Sequence, residues 1–341
     1  MMNPFKGRRD SDERAPLDRR RFLALGMGGL VLGSVPVAIS SSKRRVVSRT
    51  VPVMATIAEI RVVVDGERDV PRAEAAIEAA LEELYAVDRA MTRFSRQSEV
   101  GRANVEAVRH PVAVGAATAA VVEQALHWAS CTAGAFDPCL GEVSDLWDVR
   151  HRHEPPAQRD VRRFAGRGLY KQLEVGRRSG GAMLYYHTPD VAIDLGGIAK
   201  GWSVDRAADA LRARGIKDAL VNVAGHLYAI GHSERGDAWE IGVQSPTDPN
   251  GIVARFPLTD AAVATSGDYR QYFDYRGRRF HHILDPRTGE PRLTGEHSVS
   301  VRAERCIDAD AGATAVFGAA PEQARAMLAA AAPGARLIHS I

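Results

Sequence analysis

Three segments of this sequence combine residue types and spacings that could do chemistry. Asp310 and Thr314 stand four residues apart in an alanine-rich run, so on a helix they share a face. A carboxylate and a hydroxyl so placed suit a hard cation such as Mg²⁺, and equally suit a helix cap or a buried hydrogen bond. Asp194-Leu195-Gly196-Gly197-Ile198-Ala199-Lys200-Gly201 reads as a turn from a strand into a helix. Its glycines let a phosphate approach the backbone, the helix N-terminus favours an anion, and Lys200 adds positive charge. A purely structural turn has the same composition, and the segment matches neither the Walker loop nor the dinucleotide fingerprint. His281-His282-Ile283-Leu284-Asp285-Pro286-Arg287-Thr288-Gly289 is a strand running into good turn chemistry. There His282 could act as a base with Asp285 beside it. Ser266, in Thr265-Ser266-Gly267-Asp268-Tyr269-Arg270, lacks the Gly-x-Ser-x-Gly elbow, which argues against a serine hydrolase. Cys131, Cys139 and Cys306 show no zinc or dithiol spacing and read as small buried or free thiols.

The elements that must position these groups follow from hydrophobic periodicity. Residues 57–64 alternate and are β-branched, a strand; residues 73–87 and 117–130 carry apolar side chains at three-to-four spacing, two amphipathic helices. A polar excursion with Pro155-Pro156 covers 154–167, and short strands are predicted at 184–186 and 191–193. A helix runs from the Gly196-Gly197 turn through Arg214 and stops at Gly215. Strands follow at 220–223, 228–230, 239–243, 253–256, 262–265, 272–275, 280–284 and 298–301, then helices at 309–317 and 322–331. Short turns between the strands imply antiparallel pairing. The fold class is α+β, largely antiparallel sheets packed with helices, and the missing strand–helix alternation disfavours a doubly wound nucleotide fold.

Length and composition allow one large domain or two intimate lobes with a real core. Residues 1–42 hold seven basic and four acidic residues, the whole excess of +3. The remaining chain is balanced, which gives a nucleic-acid partner little support. Within 1–42, Asp18-Arg19-Arg20-Arg21-Phe22-Leu23-Ala24 resembles a twin-arginine export motif. The glycine-diluted apolar run to Ile39 fits a cleavable signal better than a membrane span. The expected organisation is an export signal over 1–42, read by the export machinery, and one catalytic domain over 43–341, with a periplasmic location.

Taken together and in order, these segments resemble the ApbE family of FAD:protein FMN transferases. The matching residues are Met91-Thr92-Arg93-Phe94-Ser95 with Ser98-Glu99 and Asn104, and Gly134-Ala135-Phe136-Asp137-Pro138 with Gly141 and Leu146-Trp147. Asp194 to Gly201 with Val204-Asp205, Asn222 with Gly225, Thr265 to Arg270, His282 to Gly289, and Ala309-Asp310 with Thr314 complete the set. The resemblance runs from about Met54 to Ala330.

It implies two lobes with a flavin cleft between them. It implies that FAD is the substrate, bound by Met54, Phe94, Ala135, Phe136, Asp137, Asp194, Lys200 and Leu284. Mg²⁺ would be held by the Gly197 carbonyl with Asp310 and Thr314. His282 would be the base and Asp285 its neighbour. The implied reaction moves FMN from FAD to a threonine or serine hydroxyl of an acceptor flavoprotein in an exported or membrane electron-transfer system, releasing AMP. Hydrolysis of FAD to FMN and AMP would use the same site, and a non-enzymatic exported flavin-binding protein is the other reading. Two departures stand out. Where the family reads Asn-x-Gly-Gly-Asp, this chain has Asn222-Val223-Ala224-Gly225-His226, and Cys139 replaces a common threonine.

Overall fold

The computed structural model describes residues 30–32, 44–178, 181–248 and 250–341. The twin-arginine-like segment lies outside them. Of the apolar run behind it only Leu30–Leu32 is described, as a short strand paired antiparallel with Trp239–Gln244.

The frame is a seven-stranded sheet. In chain order its strands are β1 (Arg45–Val53), β2 (Thr56–Val64), β3 (Ala219–Val223), β4 (His226–Ile230), β5 (Ala261–Gly267), β6 (Ser298–Ala303) and β7 (Arg336–Ser340). They lie side by side in that order, and every pairing is antiparallel. The predicted antiparallel α+β architecture is therefore the observed one. The helices are α1 (Val70–Met91), α2 (Glu99–Glu106), α3 (Ala116–Cys131), α4 (Gly141–Trp147), α5 (Gln158–Arg162), α6 (Ala199–Ala213), α7 (Cys306–Val316) and α8 (Pro321–Ala331).

Strand alternation divides the burial. Ile60, Val221, Tyr228, Ala262 and Val301 join the helices in one large core. Val63, Leu220, Leu227, Ala229 and Val263 face the other way, against a hairpin of Trp239–Gln244 and Ile252–Leu258. The large core continues without a break into a small sheet of Val112–Val114, Gly181–Tyr186 and Leu173–Arg178. Everything from Asp65 to Asp218 is thus an insertion between neighbouring strands β2 and β3, and most candidate residues sit where that insertion meets β5 and α7.

Several expectations are corrected. The predicted strand at 191–193 is reduced to one bridge, Leu140 to Ala192. The Asn104 amide takes over the ladder's role: it donates to the Ile193 carbonyl at 2.9 Å and accepts from its N–H at 2.7 Å. The single strand predicted at 280–284 is two pieces, Arg278–His281 and Leu284–Asp285, because His281 Nδ1 accepts the Ile283 N–H at 3.2 Å and breaks the run. Helix α7 begins at Cys306, so Asp310 lies in its second turn and does not cap it. Asp205 does that work, accepting the N–H groups of Cys306 at 2.7 Å and Ile307 at 2.9 Å. All three cysteines are free, with Cys139 and Cys306 buried.

Candidate active site

Helices α6 and α7 are tied at their first turns by reciprocal bonds, and this crossing builds the centre of the site. Asp205 of α6 holds the start of α7, and Asp310 of α7 accepts the Gly201 N–H at 2.9 Å. The approach requires glycine, since a Cβ at Gly201 would sit 2.3 Å from the Cys306 carbonyl oxygen. Gly197 is crowded in the same way: a Cβ there would lie 2.9 Å from Thr314 Oγ1 and 3.3 Å from the Phe136 ring. The expected trio of Gly197, Asp310 and Thr314 is therefore brought together. Thr314 Oγ1 also lies 3.4 Å from Ser266 Oγ on β5.

Asp310 is 1% exposed. Its Oδ1 meets His226 Nε2 at 2.9 Å, so the histidine that departs from the family pattern rests directly on the candidate metal ligand. Burial pulls the Asp310 pKa up. The nearby His226 and Lys200, with the Gly201 N–H, outweigh it and hold the carboxyl below its ordinary range. Burial lowers His226 more strongly than Asp310 raises it. The state we favour is an ionised Asp310 accepting the Nε2–H of His226. Its other nitrogen, Nδ1, lies 3.1 Å from the Val223 carbonyl. Among the described residues no three His, Cys, Asp or Glu side chains converge on a metal position. A cation at Asp310 would thus rely on one carboxylate, neutral oxygens and substrate phosphate, which is a donor set suited to Mg²⁺.

Lys200, in the first turn of α6, donates to the Gly196 carbonyl, and Asp194 Oδ1 accepts the Gly196 N–H at 2.9 Å. Asp194 Oδ2 is 3.1 Å from Arg93 Nε, and Arg93 also reaches Asp145 at 2.8 Å. Beside it Phe94 is 73% exposed, an aromatic face left free at the rim with the Arg93 guanidinium 4.4 Å above it. Met54 and Ala55 form the β1–β2 turn with φ of 52° and 55°, a left-handed pair that L-residues seldom adopt. The Asp88 carboxylate accepts the Met54 N–H at 3.1 Å and helps to hold this strained turn.

The Thr132–Pro138 loop carries the next set. Phe136 is buried against Gly197. Asp137 is buried too, and its oxygens accept the N–H groups of Cys139 at 2.9 Å and Tyr170 at 3.2 Å. Burial still raises its pKa to about 6. In this structure Asp137 fixes the loop.

His282 is exposed to solvent, though closely packed around; that packing, with His281 and Lys200, lowers its pKa and favours the neutral ring a base needs. The expected pairing with Asp285 is not formed. Asp285 forks onto Arg287 instead, at 3.1 and 3.0 Å, which outweighs partial burial and keeps its pKa low. The two are brought near in sequence only. Leu284 is buried and offers its carbonyl to Arg292.

Sequence reasoning passed over Arg292, and its Arg-Leu-Thr context carries no signal. Its guanidinium donates to four backbone carbonyls: Leu284 at 3.4 Å, Ala315 at 2.9 Å, Phe317 at 2.6 Å and Ala135 at 2.5 Å. It thereby ties the Ala135 loop, the His282–Asp285 segment and the end of α7 together. Arg93 was passed over as well, although it lies inside a motif that was read.

A chain with this fold and this crossing of a glycine turn with an Asp-x-x-x-Thr helix has known counterparts. The ApbE family model matches residues 54–338, and the chain belongs to the ApbE family. It is 33% identical over 330 residues to an FAD:protein FMN transferase of Treponema pallidum, covering 90% of this chain and 88% of that one. It is 32% identical over 278 residues to an FAD:protein FMN transferase of Vibrio cholerae, covering 81% and 82%. Among solved structures, the ApbE protein of Thermotoga maritima superposes with a TM-score of 0.74 at 31% identity, covering 86% of this chain and 93% of that one. The flavin transferase ApbE of Vibrio cholerae superposes with a TM-score of 0.70 at 30% identity, covering 83% and 90%.

Proposed function

We propose that the protein moves FMN from FAD onto a threonine or serine hydroxyl of an acceptor flavoprotein and releases AMP. The observation that carries this reading is the crossing of α6 and α7, where Gly197 packs on Thr314 and the ionised Asp310 accepts the Gly201 N–H next to Lys200. Similarity over 81–90% of the chain to flavin transferases supports the substrate.

When bound, Mg²⁺ would neutralise pyrophosphate charge at Asp310, Thr314 and the Gly197 carbonyl. The chain's own residues do the rest. Lys200 and the opening of α6 set a positive field for the phosphates. Met54, Phe94, the Ala135–Asp137 loop, Asp194 and Leu284 border the space for the remainder of FAD. The acceptor oxygen attacks the FMN-side phosphorus, its proton passes to the neutral His282 ring, and the bond to the AMP oxygen breaks. Asp285, held by Arg287, acts on the segment carrying His282 and not on the ring. A periplasmic setting, with an acceptor in an exported or membrane electron-transfer system, belongs to the same reading and rests on the twin-arginine-like leader.

The test counts products. With FAD, Mg²⁺ and an acceptor carrying a flavinylatable threonine, AMP and covalently bound flavin should appear in equal amounts. AMP matched by free FMN would mean hydrolysis, and unreacted bound FAD would mean a carrier.

A further inference from the structure

Arg270 takes no part in the site as described so far, yet the chain delivers it there. Four residues before it on β5, Ser266 Oγ lies 3.4 Å from Thr314 Oγ1. Five residues before it, Thr265 Oγ1 pairs with Ser300 Oγ at 2.7 Å, which fixes β5 against β6. On its other side, the carbonyl of Gln271 accepts the His282 N–H at 3.1 Å. Arg270 is thus strung between an anchor on the Asp310 helix and an anchor on the backbone of the candidate base.

Its guanidinium is under-used. Nη2 is buried and has no hydrogen-bond partner. In the nearest acid in sequence, Asp268, Oδ2 meets His297 Nδ1 at 2.9 Å while the buried Oδ1 has no hydrogen-bond partner, and no ion pair to Arg270 is found among the described residues. The Tyr269 hydroxyl is close enough to favour the charge, but Arg270 Nη2 and Tyr269 Oη each lack a hydrogen-bond partner. Lys200 acts on both His226 and His282, as Arg270 itself does. The one carboxylate at the centre, Asp310, is already spent on His226 and the Gly201 N–H. A buried guanidinium edge with no acceptor is costly, and an anion that brings oxygen acceptors relieves that cost. The planar fork of arginine suits phosphate oxygens in particular.

We infer that Arg270 is a substrate-binding residue whose free Nη2 edge grips a phosphate oxygen of a pyrophosphate-bearing ligand between Asp310 and His282. This rests on the flavin-transfer reading for the ligand's identity and on the geometry of β5 for the contact. Arg270 then fixes the pyrophosphate from the segment that follows β5, and the riboflavin part of the ligand makes no use of it.

The test compares the unmodified chain with Arg270→Met and Arg270→Lys, using three probes: FAD, riboflavin and inorganic pyrophosphate. Arg270→Met should weaken FAD and pyrophosphate by on the order of ten- to a hundredfold. Riboflavin affinity should stay the same, and Arg270→Lys should recover part of the loss. The ligand-free thermal midpoint of Arg270→Met should not fall, since the substitution removes an unsatisfied buried edge. Equal weakening of FAD and riboflavin, or a large drop in midpoint, would make Arg270 structural and overturn the assignment. Unchanged FAD and pyrophosphate affinity would overturn it as well. If the unmodified chain binds pyrophosphate through Arg270 but not flavins, the flavin reading fails while the phosphate contact stands. If it binds none of the three, both fail.

Discussion

Replacing Arg292 by methionine tests whether the site is assembled by the clasp described above. The substitution keeps most of the side chain's length and removes every donor. Hydrogen bonds from a charged group contribute about 1.5–3 kcal/mol each. Four at face value would match the whole stability of an ordinary domain, so they do not simply add. Part is offset because the guanidinium is buried without an ion pair among the described residues, which pushes its pKa down to about 10. After substitution the carbonyls of Leu284, Ala315, Phe317 and Ala135 lose their shared donor, and two of them close the end of α7. A net loss of about 2–4 kcal/mol follows. Urea unfolding should show a lower midpoint with an unchanged slope. Flavin affinity should fall with it, because Ala135 and Leu284 sit in the segments expected to border FAD. A loss under about 1 kcal/mol with flavin affinity intact would refute the clasp.

Other expectations concern single positions. Ala224 occupies the β3–β4 turn with φ 52°, ahead of Gly225 at φ 86°; Ala224→Gly should raise stability by about 0.5–1 kcal/mol in denaturant melts, and a decrease would argue against a left-handed turn. His226→Asp puts a second carboxylate against Asp310, so the metal-free thermal midpoint should drop and Mg²⁺ should raise it more than in the unmodified chain; a variant indifferent to Mg²⁺ would dissociate Asp310 from any metal. The His282 pKa lies below the ordinary 6.5, so the neutral, base-competent ring persists as pH falls through 6.5; the acid limb of the transfer rate should lie below that value, and a limb above it would remove His282 as the base.

Much of the architecture was legible because it obeys simple periodicity. The α1, α3 and α6 helices carry apolar stripes, and the strands β3 to β6 are largely buried, β3 and β4 being joined by a short turn. Strand β1 was not legible: it is an edge strand with mostly exposed residues, so no burial pattern marks it. β7 and Leu173–Arg178 are edge strands too. At the site, helical spacing marked Asp310 and Thr314 and a glycine turn marked Gly197, the family resemblance grouped them, and the structure brings them together. The Asp285–His282 pairing failed because sequence adjacency did not reveal that Arg287, two residues on, would capture the carboxylate. Arg270 and Arg292 act through contacts distant in sequence, and His226 was visible only as a departure from a motif. Its meeting with Asp310 depends on the registry of β4 against α7, which no local pattern encodes.

The most direct test of flavin transfer uses the chain lacking residues 1–42, FAD, Mg²⁺ and a threonine-bearing acceptor, read as flavin fluorescence on a denaturing gel. A fluorescent acceptor band that disappears with chelator and with Asp310→Asn is the predicted result. A band that persists in both, or no band while FMN and AMP accumulate free in solution, would contradict it.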